Sequence, residues 1–319
     1  MLNVKLISFE ISCLSFTKKT MIVATKTGDI IEYSLGKDQQ KRPARLIPSI
    51  LPIASKQRAL AYLDDDKTPI LAFGGESSIV CTLDMRAYEL MDLWGVGHHV
   101  TAIDLSNTEH AFIIGVGCDD GALLIKQDWD IVSTHHQSSE PITSLRFADL
   151  GRCLFAASED SSVYIYKKSE KFFEMYSSLT IDAGIPISLD LSDGDQYLLI
   201  ATDKRKIMVM NTTTLELSFT YQEVTAIKWA RFKSHFAVHL KKEMDATRSE
   251  FVRLPVAWDA TADAMAAADA AGMLYVWKSK ALSSCYQGQH FRRTGTARPF
   301  FPGARYGIDG ESPLFGRVQ

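Results

Sequence analysis

The sequence predicts an all-β chain, a WD40-type β-propeller of about seven four-stranded antiparallel blades with degenerate repeats, occupying residues 1–319 as a single domain. Three observations predict it. A short turn-then-strand unit recurs along the chain. Its copies are spaced close to the 40–45 residues of a propeller blade. Helical periodicity is nearly absent.

The recurring unit reads "KTGDIIEYSL" at 26–35, "GESSIVCTLD" at 75–84, "CDDGALLIKQ" at 118–127, "SEDSSVYIYK" at 158–167, "TDKRKIMVMN" at 202–211 and "DAAGMLYVWK" at 269–278. Each opens on a turn of Gly, Ser, Asp or Lys. Each continues as a β-branched or aromatic run with a polar exit, the signature of a hairpin turn feeding a strand. The last large residue of each run serves as a ruler mark: Tyr33, Leu83, Lys126, Tyr166, Met210 and Trp277. Their successive separations are 50, 43, 40, 44 and 67 residues. The last separation is half a blade too long and calls for an insertion or an extra strand pair within 225–262.

Upstream of the marks, "VTAIDLSNTEHAFIIGVG" (100–117), "ITSLRFADLGRCLFAAS" (142–158) and "PISLDLSDGDQYLLIAT" (186–202) read as strand, turn, strand. They supply the two inner strands of a blade. The alanine-rich "TADAMAAADAAG" (261–272) has helical composition, but its place in the repeat favours a loop and an inner strand. Seven blades need about 300 residues, so one ring fits. The last blade, 285–319, is expected to be irregular, with "DGESPLFGRV" (309–318) as its end.

A standard WD blade is pinned by a Gly-His dipeptide, a Ser or Thr, an Asp in the turn and a Trp. This chain keeps fragments of that set. Gly97-His98 precedes a blade whose mark is Lys126; Ser158 and Asp160 accompany Tyr166. Apolar packing between sheets, from pairs such as Val163/Ile165, Ile207/Val209 and Leu274/Val276, must therefore carry most of the stability.

Composition narrows the function. The net charge is −3 and the pI about 6.3, so no global positive field draws the chain to nucleic acid or to an anionic membrane. No run of about 18 apolar residues suggests a membrane span. Glu10 interrupts the moderately apolar N-terminus, which does not read as a signal peptide. The five cysteines (Cys13, Cys81, Cys118, Cys153 and Cys285) form no CxxC and suit buried free thiols in a reducing, cytoplasmic setting.

No Walker A, GxGxxG after a strand, HExxH or GxSxG occurs, so neither an enzyme nor a cofactor is expected. "LDDDK" (63–67) reads as a solvated turn rather than a cation site. The adjacent pairs His98-His99 and His135-His136 cannot share one strand face and read as surface or turn residues, so no metal site is expected. Two basic segments remain. Lys37, Lys41, Arg42 and Arg45 stand against Asp38 alone, and Arg292, Arg293, Arg298, Arg305 and Arg317 against Asp309 and Glu311; each segment has a net charge of +3. Lys37, Lys41, Arg42, Arg45, Arg292, Arg293, Arg298 and Arg305 are the candidate partner-binding residues. They suit an acidic protein surface, although solvated loops carry such charges too.

Several segments show a pattern beyond the blades. "MIVATKTGDIIEYSL" (21–35) resembles the start of the second propeller of the echinoderm microtubule-associated protein-like family. "ITSLRFADLGRCLFAASEDSSVYIYK" (142–167), "VTAIKWARF" (224–232) and "LSSCYQGQHF" (282–291) resemble later parts of the same propeller, in the same order. The family's coiled coil and first propeller have no counterpart in these residues. The resemblance implies a non-enzymatic protein on cytoplasmic or axonemal microtubules, with tubulin or axonemal proteins as partners. A general WD scaffold in an assembly unrelated to microtubules is the second reading, since fold alone does not select a partner.

The strand phase is testable. Ile165→Asp puts an unpaired carboxylate in the core and should unfold or aggregate the protein, a cost of several kcal/mol. Lys168→Asp, just past the core, should shift the thermal midpoint little. Equal losses in the two melts would reject the assigned phase.

Overall fold

In a computed structural model the chain is described at residues 11–16, 20–34, 45–47, 55–65, 68–108, 111–204 and 206–221, and beyond these at seven short strands. Five four-stranded antiparallel sheets follow one another along the chain. The first is β1 (Ile11–Phe16), β2 (Thr20–Thr25), β3 (Ile30–Ser34) and β4 (Arg45–Ile47). The second is β5 (Gln57–Leu63), β6 (Ile70–Gly75), β7 (Ile79–Asp84) and β8 (Glu89–Gly95). The third is β9 (Val100–Asn107), β10 (Phe112–Cys118), β11 (Ala122–Gln127) and β12 (Asp130–His136). The fourth is β13 (Ile142–Ala148), β14 (Cys153–Ser158), β15 (Ser162–Ser169) and β16 (Phe172–Thr180). The fifth is β17 (Pro186–Leu191), β18 (Tyr197–Thr202), β19 (Ile207–Asn211) and β20 (Leu217–Tyr221).

The remaining strands are β21 (Ala226–Trp229), β22 (His235–His239), β23 (Val256–Trp258), β24 (Ala264–Ala268), β25 (Leu274–Lys278), β26 (Gln287–Phe291) and β27 (Phe315–Arg317). β23 to β26 form a four-stranded sheet, and β21, β22 and β27 a three-stranded one. The uniform set of seven four-stranded blades is thus corrected: five successive four-stranded blades are seen, and the sheet of β21, β22 and β27 has three strands. The stretch 225–262 carries β21, β22 and β23. Residues 285–319 hold β26 and β27, which belong to different sheets, because β27 returns to pair with β22. The alanine-rich segment is strand β24, where pairing on both sides overrides the helical propensity of alanine.

All six ruler marks lie in third strands. Tyr33, Leu83, Lys126, Tyr166, Met210 and Trp277 pair across to Met21, Leu71, Ile114, Leu154, Leu198 and Met265 of the second strands. The turn before the third strand also repeats in the first four blades. Gly28, Ser78, Gly121 and Ser161 take left-handed φ values of 95°, 58°, 89° and 68°. That backbone state explains the Gly and Ser of the recurring turn.

Among the described residues the apolar clusters lie between successive sheets. One joins Ile22 and Ile30 to Leu71 and Leu83, and the next joins Val80 to Val100 and Ile114. A third joins Ile113 and Ile125 to Leu145, Leu154 and Tyr166, and a fourth joins Phe155 and Ile165 to Leu198 and Met210. Ile165 and Tyr166 are consecutive and both buried, one in each of two clusters. Middle strands are covered on both faces, which is why "VYIY" shows no polar alternation.

The second strand of each blade also comes close to the first strand of the next. The next-to-last residue of β2, β6, β10, β14 and β18 is Ala24, Gly74, Gly117, Ala157 and Ala201 respectively. A Cβ on Gly117 would lie 2.4 Å from Ile142 Cγ2, and one on Gly74 3.0 Å from Val100 Cγ2. Val100 and Ile142 are the first residues of the following blades' inner strands. Hydroxyls add to these junctions: Thr101 Oγ1 donates to Ile142 O at 2.6 Å and Thr143 Oγ1 to Pro186 O at 2.5 Å. The four described cysteines are free, and burial pushes the thiols of Cys13, Cys81 and Cys118 up to about 12.

Gly117→Val should cost about 1–3 kcal/mol, as overpacking does. Gly95→Ala, where the nearest atom to the new Cβ is 4.0 Å away, should melt as the parent does. Denaturant titration of both variants checks the contrast, and equal stability would refute the close approach of the blades.

Candidate functional site

At Leu83, Lys126, Tyr166 and Met210 the mark position of the third strand is a seat where neighbouring blades meet, and its occupants differ. Lys126, at 7% exposure, ion-pairs with Asp92 and lies 4.3 Å above the Trp94 ring, both on β8 of the preceding blade. Its aliphatic stem fills the seat while its charge is met by a carboxylate and a π face. Tyr166 stacks on His135 of β12 with ring centroids 4.6 Å apart. Nε2 of His135 is buried and finds no partner. Burial lowers the His135 pKa, outweighing a backbone hydrogen bond with Phe173 that would raise it.

The fragments of the WD hydrogen-bond set are rewired. Ser158 Oγ donates to Ser138 Oγ at 3.2 Å, and Asp160 accepts from the Ser162 N–H at 2.9 Å and the Tyr164 hydroxyl at 2.5 Å. Burial alone would raise the Asp160 carboxyl, but these bonds outweigh it and hold the group below the usual carboxylate range. Three of the four paired histidines, from two separate stretches of sequence, meet one turn. His98 Nε2 lies 3.2 Å from Asp120 Oδ2, His99 Nδ1 3.1 Å from Asp119 Oδ2, and His136 Nε2 2.8 Å from the Asp120 carbonyl. Adjacent histidines do diverge, as strand geometry requires: His98, His99 and His136 each find a partner on the β10–β11 turn, whereas His135 turns to Tyr166. Sequence reasoning had no signal for those partners, because a turn carboxylate looks solvated until the neighbouring loop is placed.

Three inner strands share one charge group. Arg146 on β13 stands 3.5 Å from Asp104 on β9 and 3.3 Å from Asp190 on β17. All three side chains are largely covered. Burial would lower the Arg146 pKa, but the two carboxylates outweigh it and keep the guanidinium firmly protonated. This group ties three blades together and leaves no carboxylate unpaired for acid–base work.

The perimeter is different. Leu90, Ile131, Met175 and Leu217 sit on the fourth strands directly opposite Leu83, Lys126, Tyr166 and Met210. They are 39%, 51%, 45% and 44% exposed. Trp129, Phe172 and Tyr176 on the same outer hairpins are also exposed. Isolated surface apolar residues need no explanation. Four blades repeating one at a single register position is a pattern.

Arg45 begins β4, with its backbone opposite Glu32. Lys37, Lys41 and Arg42, and likewise Arg292, Arg293, Arg298 and Arg305, lie outside the described residues. Of "LDDDK", Asp65 accepts from Asn107 Nδ2 at 3.1 Å, linking the second blade to the third.

No family model matches the chain. No curated protein matches it either. Among solved structures, a chain from "Crystal Structure of Mitotic Checkpoint Complex" superposes with a TM-score of 0.66 at 13% identity, covering 88% of this chain and 89% of that one. This chain is a β-propeller. Matches to 1708 solved chains show how widely the architecture is shared, so the likeness carries the fold and no particular activity.

The seat at His135 gives a pH prediction. The folded protein binds a proton there less readily than the unfolded chain does. Stability present above the ordinary imidazole value of about 6.5 is therefore lost as the pH falls through that range. His135→Phe keeps the ring and removes the titration. Melts between pH 7.5 and 5 should show the parent losing more stability than the variant. Parallel curves would place the acid sensitivity elsewhere.

Proposed function

We propose that this chain is a non-enzymatic protein-docking propeller that presents the outer strands of its blades to other proteins. The apolar row Leu90, Ile131, Met175 and Leu217 supports this reading most directly. An apolar patch with aromatic residues beside it is the usual make-up of an interface centre. The similar solved chain belongs to a structure described as a complex, and a role among protein partners agrees with that. We also read the ring as seven-bladed. In support, β21 neighbours β17, β23 neighbours β21, and β1 neighbours β23.

Microtubules or axonemal doublets, in the cytoplasm or in cilia, are the partner class we propose. The support is the resemblance carried by "TKTGDIIEY" and "KWARF", together with the two basic segments. The tubulin surface is acidic, so the attraction should weaken as salt rises; exposed charges are screened beyond about 8 Å at physiological ionic strength.

Co-sedimentation with microtubules across a salt series tests the partner. Binding should fall with salt, and reversing Lys41, Arg42 and Arg45 to Glu should lower it with little change in melting temperature. A folded protein that stays in the supernatant at low salt rejects microtubules. The docking surface is tested separately by Ile131→Asp with Met175→Asp. These exposed changes should cost under about 0.5 kcal/mol while abolishing recovery of bound proteins. Unchanged recovery rejects the outer row as the contact.

A further inference from the structure

We propose that the β10–β11 turn, with the loop that precedes β9, forms a binding site for a divalent transition-metal ion such as Zn²⁺. His98, Asp119 and Asp120 are its ligands. One ligand atom from each of them lies within 4.8 Å of the others. Donors held at about 2.0–2.2 Å from a single ion stand roughly 3–4 Å apart, so the cluster is close to closing on a metal. His98 Nε2 and Asp120 Oδ2, at 3.2 Å, already have that separation. A nitrogen and two carboxylate oxygens suit Zn²⁺ and its first-row neighbours better than Mg²⁺, which prefers oxygen alone and keeps its waters.

The carboxylates are fixed before any ion arrives. Asp119 Oδ1 accepts from the His99 N–H at 3.1 Å, and Asp120 Oδ1 accepts from the Ala122 N–H at 3.1 Å. Each thereby turns its Oδ2 toward an imidazole. His99 Nδ1 stands 3.1 Å from Asp119 Oδ2, and His136 Nε2 holds the Asp120 carbonyl at 2.8 Å. Groups of this kind orient the ligands around a metal. Gly121 completes the frame. Its φ is +89°, and a Cβ there would lie 2.0 Å from Ser138 O, so the turn is pressed against the loop leading to the fourth blade. Stability alone does not account for the arrangement. The His98 and His99 side chains are 53% and 46% exposed, and ion pairs that exposed contribute little. Three imidazoles and two carboxylates at one rim turn make chemical sense as a cation site with open positions for water or for a partner's donor.

The test is Zn²⁺ titrated into the purified full chain after chelator treatment, read by calorimetry and by melting temperature. One saturable site with a raised melting temperature is expected, and Mg²⁺ at the same concentration should do neither. His98→Ala and Asp120→Asn should each weaken binding at least tenfold while melting as the parent does without metal. His98→Gln provides the same reading should the alanine variant fold poorly. Absence of saturable binding would overturn the proposal. So would binding that is equally strong in His98→Gln and Asp120→Asn, which would assign the ion to other donors.

Discussion

The contact of Ile142 with the bare backbone of Gly117 is the constraint on which the architecture turns. Sheets radiating from a common centre must approach most closely where their inner strands meet. A side chain at position 117 would push the third and fourth blades apart. The same limit gives Ala24, Gly74, Ala157 and Ala201 their places in the other second strands. Once the hub is this tight, the buried area lies between blades, and each blade is stabilised by its neighbours rather than by its own fold. Thr101 and Thr143 reinforce the junctions, because a hydroxyl there reaches the next blade's first carbonyl.

A tight hub also explains how the repeats can degenerate. The mark position must be filled, but Leu83, Lys126, Tyr166 and Met210 fill it by different chemistry. Lys126 needs Asp92 and Trp94 beside it, and Tyr166 needs His135. At Lys126 and Tyr166 the occupant of the seat is matched on the preceding blade's outer strand. The pairing is therefore local to one junction, and no common Trp or His is required. Arg146 extends this logic to three blades, where removing the guanidinium would leave Asp104 and Asp190 as largely covered like charges.

Much of this was legible in the sequence, for physical reasons that differ by element. The turn-strand units were readable because a left-handed turn residue and a doubly covered strand leave strong local marks, as in "DDGALLI" and "EDSSVYI". The interval of 67 residues signalled extra strands, and β21 and β22 lie inside it. The return of β27 to β22 was not readable, because a pairing between strands some 80 residues apart leaves no local pattern. The site was less legible than the fold. Charge pointed to Lys41 and Arg42, whereas the convergence of His98, His99 and His136 on Asp119 and Asp120 depends on loops that only the folded ring brings together.

The outer strands complete the argument from hub to partner. At the centre, sterics leave almost no freedom, and the residues there are small or tightly matched. At the circumference the sheets diverge, and a fourth strand is covered on one side at most. Leu90, Ile131, Met175 and Leu217 therefore cannot be buried by the propeller's own geometry, although they share a register with buried marks. The third strands need apolar residues at that register to bind their neighbours, and the fourth strands do not. Apolar residues that the fold does not require, repeated on four successive blades, are positioned on a rigid frame that holds their spacing constant. A partner meeting that row loses little entropy in ordering it, and this is the physical advantage of docking on a propeller wall instead of a loop.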